Sequence, residues 1–189
     1  MGEWKIIKTY VLIYDGFVQF EAILACYFLK TKGEVITVGI NKESVNSFEG
    51  FISVPHITIN EININEVDLF IIPGGDPSKV NEKGKLYELL TELDEKGIVI
   101  GAICSAPIHL AKAGVLSGKS YTTSVPVNEF PEFEEENYKD ENVIIDKNII
   151  TAKASGYVDF AIELGKMMNI YKNEEDLLET IRYFKYYND

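Results

Sequence analysis

Three short stretches of this 189-residue chain carry the residue types from which a reactive site could be built. The first is GAICSAP, residues 101–107, where Cys104 stands at the step from a β-branched apolar run to a helix-like run. Ala102 and Ala106 lie two residues to either side. Small residues at those places let a chain turn sharply from strand to helix and lift one side chain out of the sheet, the pattern of a nucleophile elbow. At a helix N-terminus the sulfur would face unpaired N–H groups and the positive end of the dipole, which favours thiolate over thiol. The same local pattern also fits a buried, inert cysteine.

The second stretch is IIPGG, residues 71–75. Gly74 and Gly75 after a buried strand allow close backbone approach, so their N–H groups could serve as an oxyanion hole, or the pair could be a plain tight turn. The third is YDGFVQFEAILA, residues 14–25, with Glu21 in the first turn of a helix. Phe20, Ile23 and Leu24 would make its surroundings apolar, which raises a carboxyl pKa and allows a neutral acid to donate to a thiolate. An acid is also common at that position for its charge alone.

These residues need a frame. Apolar, β-rich runs recur at 5–14, 34–40, 67–73, 98–103 and 148–153, with helical periodicity between most of them at 19–31, 83–96, 105–113 and 156–169. The alternation predicts an α/β protein with a parallel sheet covered on both faces, whose ligands gather at the carboxyl ends of the strands. A last amphipathic helix near 173–187 places Leu177, Leu178, Ile181 and Phe184 at helical spacing, as a docked helix would. Two hairpins are expected, around Glu49 and Gly50 and around Asp146 and Lys147. The length suits one domain over 1–189.

Charge and composition exclude some functions. Lys plus Arg number 18 against 30 Asp plus Glu, a net charge of −12. Phosphate backbones and anionic membranes both want cationic surface, so no nucleic acid and no membrane is expected as partner. The N-terminal apolar segment is too short for a signal peptide or span, which leaves the cytoplasm as the expected location. Two cysteines and two histidines leave little for a disulfide framework or a metal site, and no metal or other cofactor is expected. The acidic run 132–136 reads as a solvated loop.

Taken together, YDGFVQFEA, VDLFIIPGG, GAICSAP, LAKAGVLSGKSYTT and IITAKASGYVDFAIELGK resemble the ThiJ/PfpI superfamily, a branch of the class I glutamine amidotransferase-like fold, over nearly the whole chain. The resemblance implies a flavodoxin-like three-layer α/β/α sandwich with a mostly parallel central sheet, and usually a homodimer. Carried over by position, it implies that Cys104 is the elbow cysteine, Glu21 its hydrogen-bonded glutamate, and Gly75 and Ser105 the backbone donors. Gly74, Ser124 and Lys153 are further pocket candidates, Lys153 as a cation near the thiolate or an anionic substrate.

The chain departs from the family where many members carry histidine, immediately after the cysteine or at the end of the next strand: here stand Ser105 and Ser124. His109 lies five residues along a helix from Cys104, turned about 140° away. His56 sits in the hairpin region and Cys26 on the apolar side of the first helix. Without a histidine to shuttle protons, peptidase chemistry is disfavoured. Three functions stay open: a cysteine-dependent hydrolase, amidase or glyoxalase-like enzyme acting on a small carbonyl or amide; a stress-response protein whose cysteine meets an oxidant and becomes a sulfinic acid; and an inactive binding domain.

Overall fold

The computed structural model describes residues 6–80 and 83–188. Lys5, the expected start of the first strand, lies outside the described residues. In chain order the elements are β1 (Ile7–Leu12), α1 (Phe20–Lys30), β2 (Gly33–Gly39), β3 (Val45–Asn46), β4 (Ile52–Ser53), β5 (Ile57–Thr58), β6 (Leu69–Ile72), α2 (Lys83–Glu95), β7 (Val99–Ile103), α3 (Pro107–Lys112), β8 (Val143–Asp146), β9 (Ile149–Ala152), α4 (Tyr157–Met167) and α5 (Glu174–Tyr186). Seven strands form one sheet in the order β5-β2-β1-β6-β7-β9-β8, and β3 pairs with β4 in a separate hairpin. Within the sheet only β8 runs antiparallel, against β9. Both expected hairpins form; β5, two residues long, had no run of its own to announce it.

Strand alternation builds the three layers. In β1, Tyr10 and Leu12 enter a core with Leu86, Leu90 and Leu93 of α2 and Ile108 and Leu110 of α3. Val11 points the other way, into a core with Ala22, Ala25, Phe28 and Leu29 of α1 and Phe160 and Leu164 of α4. β6 repeats this: Phe70 and Ile72 join the first core, Leu69 and Ile71 the second. All four are fully buried, as a strand covered on both faces demands. From β1 the chain winds outward to β2 and β5, then returns to β6 and winds the other way. The crevice at the carboxyl ends of β1 and β6 is therefore the switch point at which such sheets bind ligands. No helix among the described residues is long and apolar enough to cross a membrane.

Two helices differ from expectation. On α1 the large apolar face is the outer one: Phe20, Ile23 and Tyr27 are 48%, 50% and 62% exposed, while Glu21, Ala22, Ala25, Phe28 and Leu29 are buried. Ala22 and Ala25 let the N-terminal half of α1 approach the sheet and α4 closely, with Phe28 and Leu29 buried further along and Phe20, Ile23 and Tyr27 left outside. Of the residues expected around Glu21, Phe20 and Ile23 are therefore largely exposed, while Leu24 packs against the α1–α4 core. On α5, Leu177, Ile181 and Phe184 pack against the α1–α4 layer, but Leu178 is exposed. Phe184 meets Phe28 edge-on with ring centroids 4.9 Å apart. Phe28→Ala should lower unfolding stability in urea by about 3–5 kcal/mol, whereas Ile23→Ala on the outer face should change it by less than about 1 kcal/mol.

Candidate active site

β7 ends at Ile103, and the next residue, Cys104, takes a left-handed backbone conformation with φ 65°. That region is unfavourable for any residue with a Cβ and persists only where the surroundings hold it. Here the Cys104 N–H donates to Ala152 O at the end of β9 (2.8 Å), and its carbonyl accepts from Ser124 N–H (2.8 Å) and Thr123 Oγ1 (2.8 Å). Both peptide groups of the elbow are thereby fixed from outside it. Thr123 is a residue the sequence did not single out: its partner lies 19 residues away, across an irregular segment.

The second side of the site is the loop after β6. Gly74 N–H donates to Glu21 Oε2 (2.8 Å), and a Cβ on Gly74 would lie 2.6 Å from that oxygen, 2.6 Å from Cys104 Cβ and 3.0 Å from Sγ. Only glycine permits this approach. Gly75, at φ 139°, hydrogen-bonds with Ser105 twice: its N–H donates to Ser105 Oγ (3.1 Å) and its carbonyl accepts from that hydroxyl (2.7 Å). The Gly75 N–H expected to point at a substrate oxyanion is thus already taken.

Glu21 is 2% exposed on the inner face of α1. The α1 N-terminus above it is capped by Glu49 of the β3–β4 turn, whose carboxylate accepts from Gln19 N–H (3.1 Å) and Phe20 N–H (2.9 Å). This cap comes from thirty residues along the chain and leaves no local sequence signature. Burial pushes the Glu21 carboxyl above its usual range, opposed by hydrogen bonds from Cys104 and Gly74.

The sulfur sits among three groups. Glu21 is hydrogen-bonded to it, and the Ser124 hydroxyl and Ser105 N–H donate to it. Burial first, then the negative charge of Glu21 and its hydrogen bond, push the Cys104 thiol up to about 11, and the two donors only partly oppose this. The expected depressed thiol pKa is therefore not what this environment produces. Part of the reason is the helix: α3 starts at Pro107, not at 105, and spans six residues, so its dipole is small and removed from the sulfur. Burial thus disfavours the charged form of both partners, thiol and carboxyl.

The remaining candidates separate cleanly. Ser124 is brought to the sulfur, and its Oγ also accepts from Ala154 N–H (2.9 Å). Lys153 is not: its ammonium pairs with Asp140, and it is not among the groups that shift the thiol. Asp15 shapes the β1–α1 loop by accepting from Asn46 N–H (3.2 Å), beside Gly16 at φ 82°. His109 is buried on α3 facing the Tyr87 ring of α2. His56 lies on the outer side of β2, bonded to Thr37, with β1 and β6 between it and β7. Cys26 is half-buried in the α1–α4 layer with its thiol pushed up to about 12. Among the described residues no cluster of three or more His, Cys, Asp or Glu could hold a metal ion.

A doubly wound α/β sandwich with a left-handed cysteine between a buried glutamate and a diglycine loop defines a class of elbow-cysteine proteins. The chain belongs to the DJ-1/PfpI family, which it matches over residues 7–167. It is 30% identical over 167 residues to Protein dj-1beta of Drosophila melanogaster, covering 82% of this chain and 86% of that one. It is 29% identical over 153 residues to the glutathione-independent glyoxalase DJR-1.2 of Caenorhabditis elegans, covering 78% and 80%. The crystal structure of the thiJ/pfpI family protein from Bacillus anthracis superposes with a TM-score of 0.88 at 22% identity, over 98% of this chain and 93% of that one.

Because the Glu21 charge adds to burial in raising the thiol pKa, Glu21→Gln should lower it. With Cys26→Ala in both chains, iodoacetamide alkylation of native Cys104 should climb from pH 6 to 10 without levelling, and in Glu21→Gln the curve should level at lower pH. A native plateau below pH 8 would contradict this electrostatic account.

Proposed function

We propose that this chain is a glyoxalase-like enzyme in which Cys104 adds to small aldehydes, with Glu21 as its proton carrier. The observation that carries the reading is the Cys104–Glu21 hydrogen bond inside a strained, externally braced elbow. A buried carboxylate whose pKa is raised is a stronger base than an exposed one and stands where the thiol proton must go. As Sγ bonds to the carbonyl carbon, the thiol proton passes to Glu21, the C=O π pair moves to oxygen, and Glu21 returns the proton to that oxygen. With a 2-oxoaldehyde, Glu21 then takes the hydrogen of the former aldehyde carbon as a proton and delivers it to the neighbouring carbon, while the hydroxyl proton passes to the neighbouring oxygen as that C=O becomes C–OH and the first carbon becomes C=O. The hemithioacetal becomes a 2-hydroxy thioester, which water cleaves to a 2-hydroxy acid and free thiol.

The choice of aldehyde over amide rests on reactivity. A thiol pushed up to about 11 holds little thiolate at neutral pH, so useful rates need a strongly electrophilic carbon. Amides are too inert without the histidine this site lacks. The same high pKa works against peroxide oxidation, which places the redox reading second. The name of the Caenorhabditis elegans relative, a glyoxalase, supports the aldehyde.

A homodimer belongs to the same proposal. Phe20, Ile23, Tyr27, Phe51, Tyr183 and Tyr187 line an exposed apolar groove of about 830 Å³ between α1, the β3–β4 hairpin and α5. Its one acid, Glu49, is engaged in capping α1. In a chain of net charge −12, two copies repel least through an uncharged face.

Glu21→Gln should reduce methylglyoxal turnover by about 10²–10⁴-fold while iodoacetamide alkylation at pH 7.5 becomes faster; undiminished turnover would end the proposal. Sedimentation equilibrium should give a dimer for the native chain and a monomer for Tyr27→Glu, and a native monomer at micromolar concentration would remove the dimer.

A further inference from the structure

One hydroxyl joins the two halves of the site. Ser105 is 6% exposed, and its Oγ closes on both polar groups of Gly75, accepting from the N–H at 3.1 Å and donating to the carbonyl at 2.7 Å. Its own N–H donates to the Cys104 sulfur. Gly75 is held in this orientation from behind, since at φ +139° a Cβ would come within 2.6 Å of Gly16 O and 2.8 Å of Tyr14 Oη. The other N–H of the diglycine is committed to Glu21. An oxyanion forming on a Cys104 adduct therefore meets a loop whose two donors are both occupied.

We infer that Ser105 is a positioning residue that acts as a latch. In the resting site its hydroxyl stands in for the oxyanion at the Gly75 N–H and holds the loop at the elbow. During addition the developing alkoxide displaces it. A charged acceptor forms a hydrogen bond roughly twice as strong as a hydroxyl does, so the exchange runs forward only when negative charge appears on oxygen. The Ser105 O–H, released from Gly75, turns to donate to the same oxygen or to solvent. Electrophiles that create an oxyanion open the latch; those that react by simple displacement do not touch it. This inference rests on the aldehyde-addition reading for its substrate, though not for its geometry.

The test compares the full chain with Ser105→Ala and Ser105→Thr, all carrying Cys26→Ala. Two rates are measured, kcat/KM for methylglyoxal and the second-order rate of Cys104 alkylation by iodoacetamide. In alkylation the thiolate displaces iodide and no oxyanion forms. Ser105→Ala leaves the Gly75 N–H open and should raise the ratio of the two rates about fivefold or more, while Ser105→Thr, which keeps the hydroxyl, should stay within about twofold of the native ratio. An unchanged or lower ratio in Ser105→Ala overturns the latch.

Amide hydrogen exchange at Gly75 gives a readout independent of turnover. It should quicken about tenfold or more in Ser105→Ala while Leu69–Ile72 in β6 stay as protected as in the native chain, and equal exchange at Gly75 overturns the latch. If the native chain leaves methylglyoxal unchanged, the aldehyde reading falls, and the exchange result alone decides for or against Ser105.

Discussion

A cysteine held in the left-handed region governs the architecture of this site. Such a residue costs on the order of 1–3 kcal/mol, and the surrounding structure has to overdetermine it. Here the end of β9 accepts its N–H, and the 123–124 segment donates twice to its carbonyl. The elbow therefore depends on neighbouring parallel strands and on a loop that has crossed over the sheet, not on its own turn. In exchange, the sulfur is lifted against the Gly74 backbone at a distance where no other residue would fit.

The same crowding decides the electrostatics. To reach the sulfur, Glu21 must be buried on the inner face of α1, and burial disfavours charge on both partners at once. The carboxyl that reaches the sulfur also accepts from Gly74 N–H. The two serines standing where other members carry histidine add hydrogen-bond donors without adding a second titrating base.

Local patterns revealed much of the frame. The β-branched runs around Ile71 and Ile100 became central strands because a strand covered on both faces has to be apolar throughout. The alanines around Cys104 marked the elbow for a steric reason that acts within a few residues. On α1, Phe20, Ile23 and Tyr27 recur at helical spacing, and the face they share is the outer one. The inner face carries Ala22 and Ala25 beside Phe28 and Leu29, and hydrophobicity alone does not tell the two faces apart. Lys153, a pocket candidate from its place after a strand, pairs with Asp140 on a segment that folds back beside it, which no local pattern announces.

What the sequence by itself determined is the order of strands and helices, the cysteine at a strand end and the diglycine beside it, because alternation and steric freedom are properties of neighbouring residues. Only the tertiary structure decided what each polar group does. Gly74 meets Glu21 across 53 positions, Gly75 meets Ser105 across 30, and Thr123 meets the Cys104 carbonyl across 19. The thiol pKa follows from burial and from a carboxylate on another helix, and neither exists until the sheet has brought β1, β6 and β7 side by side.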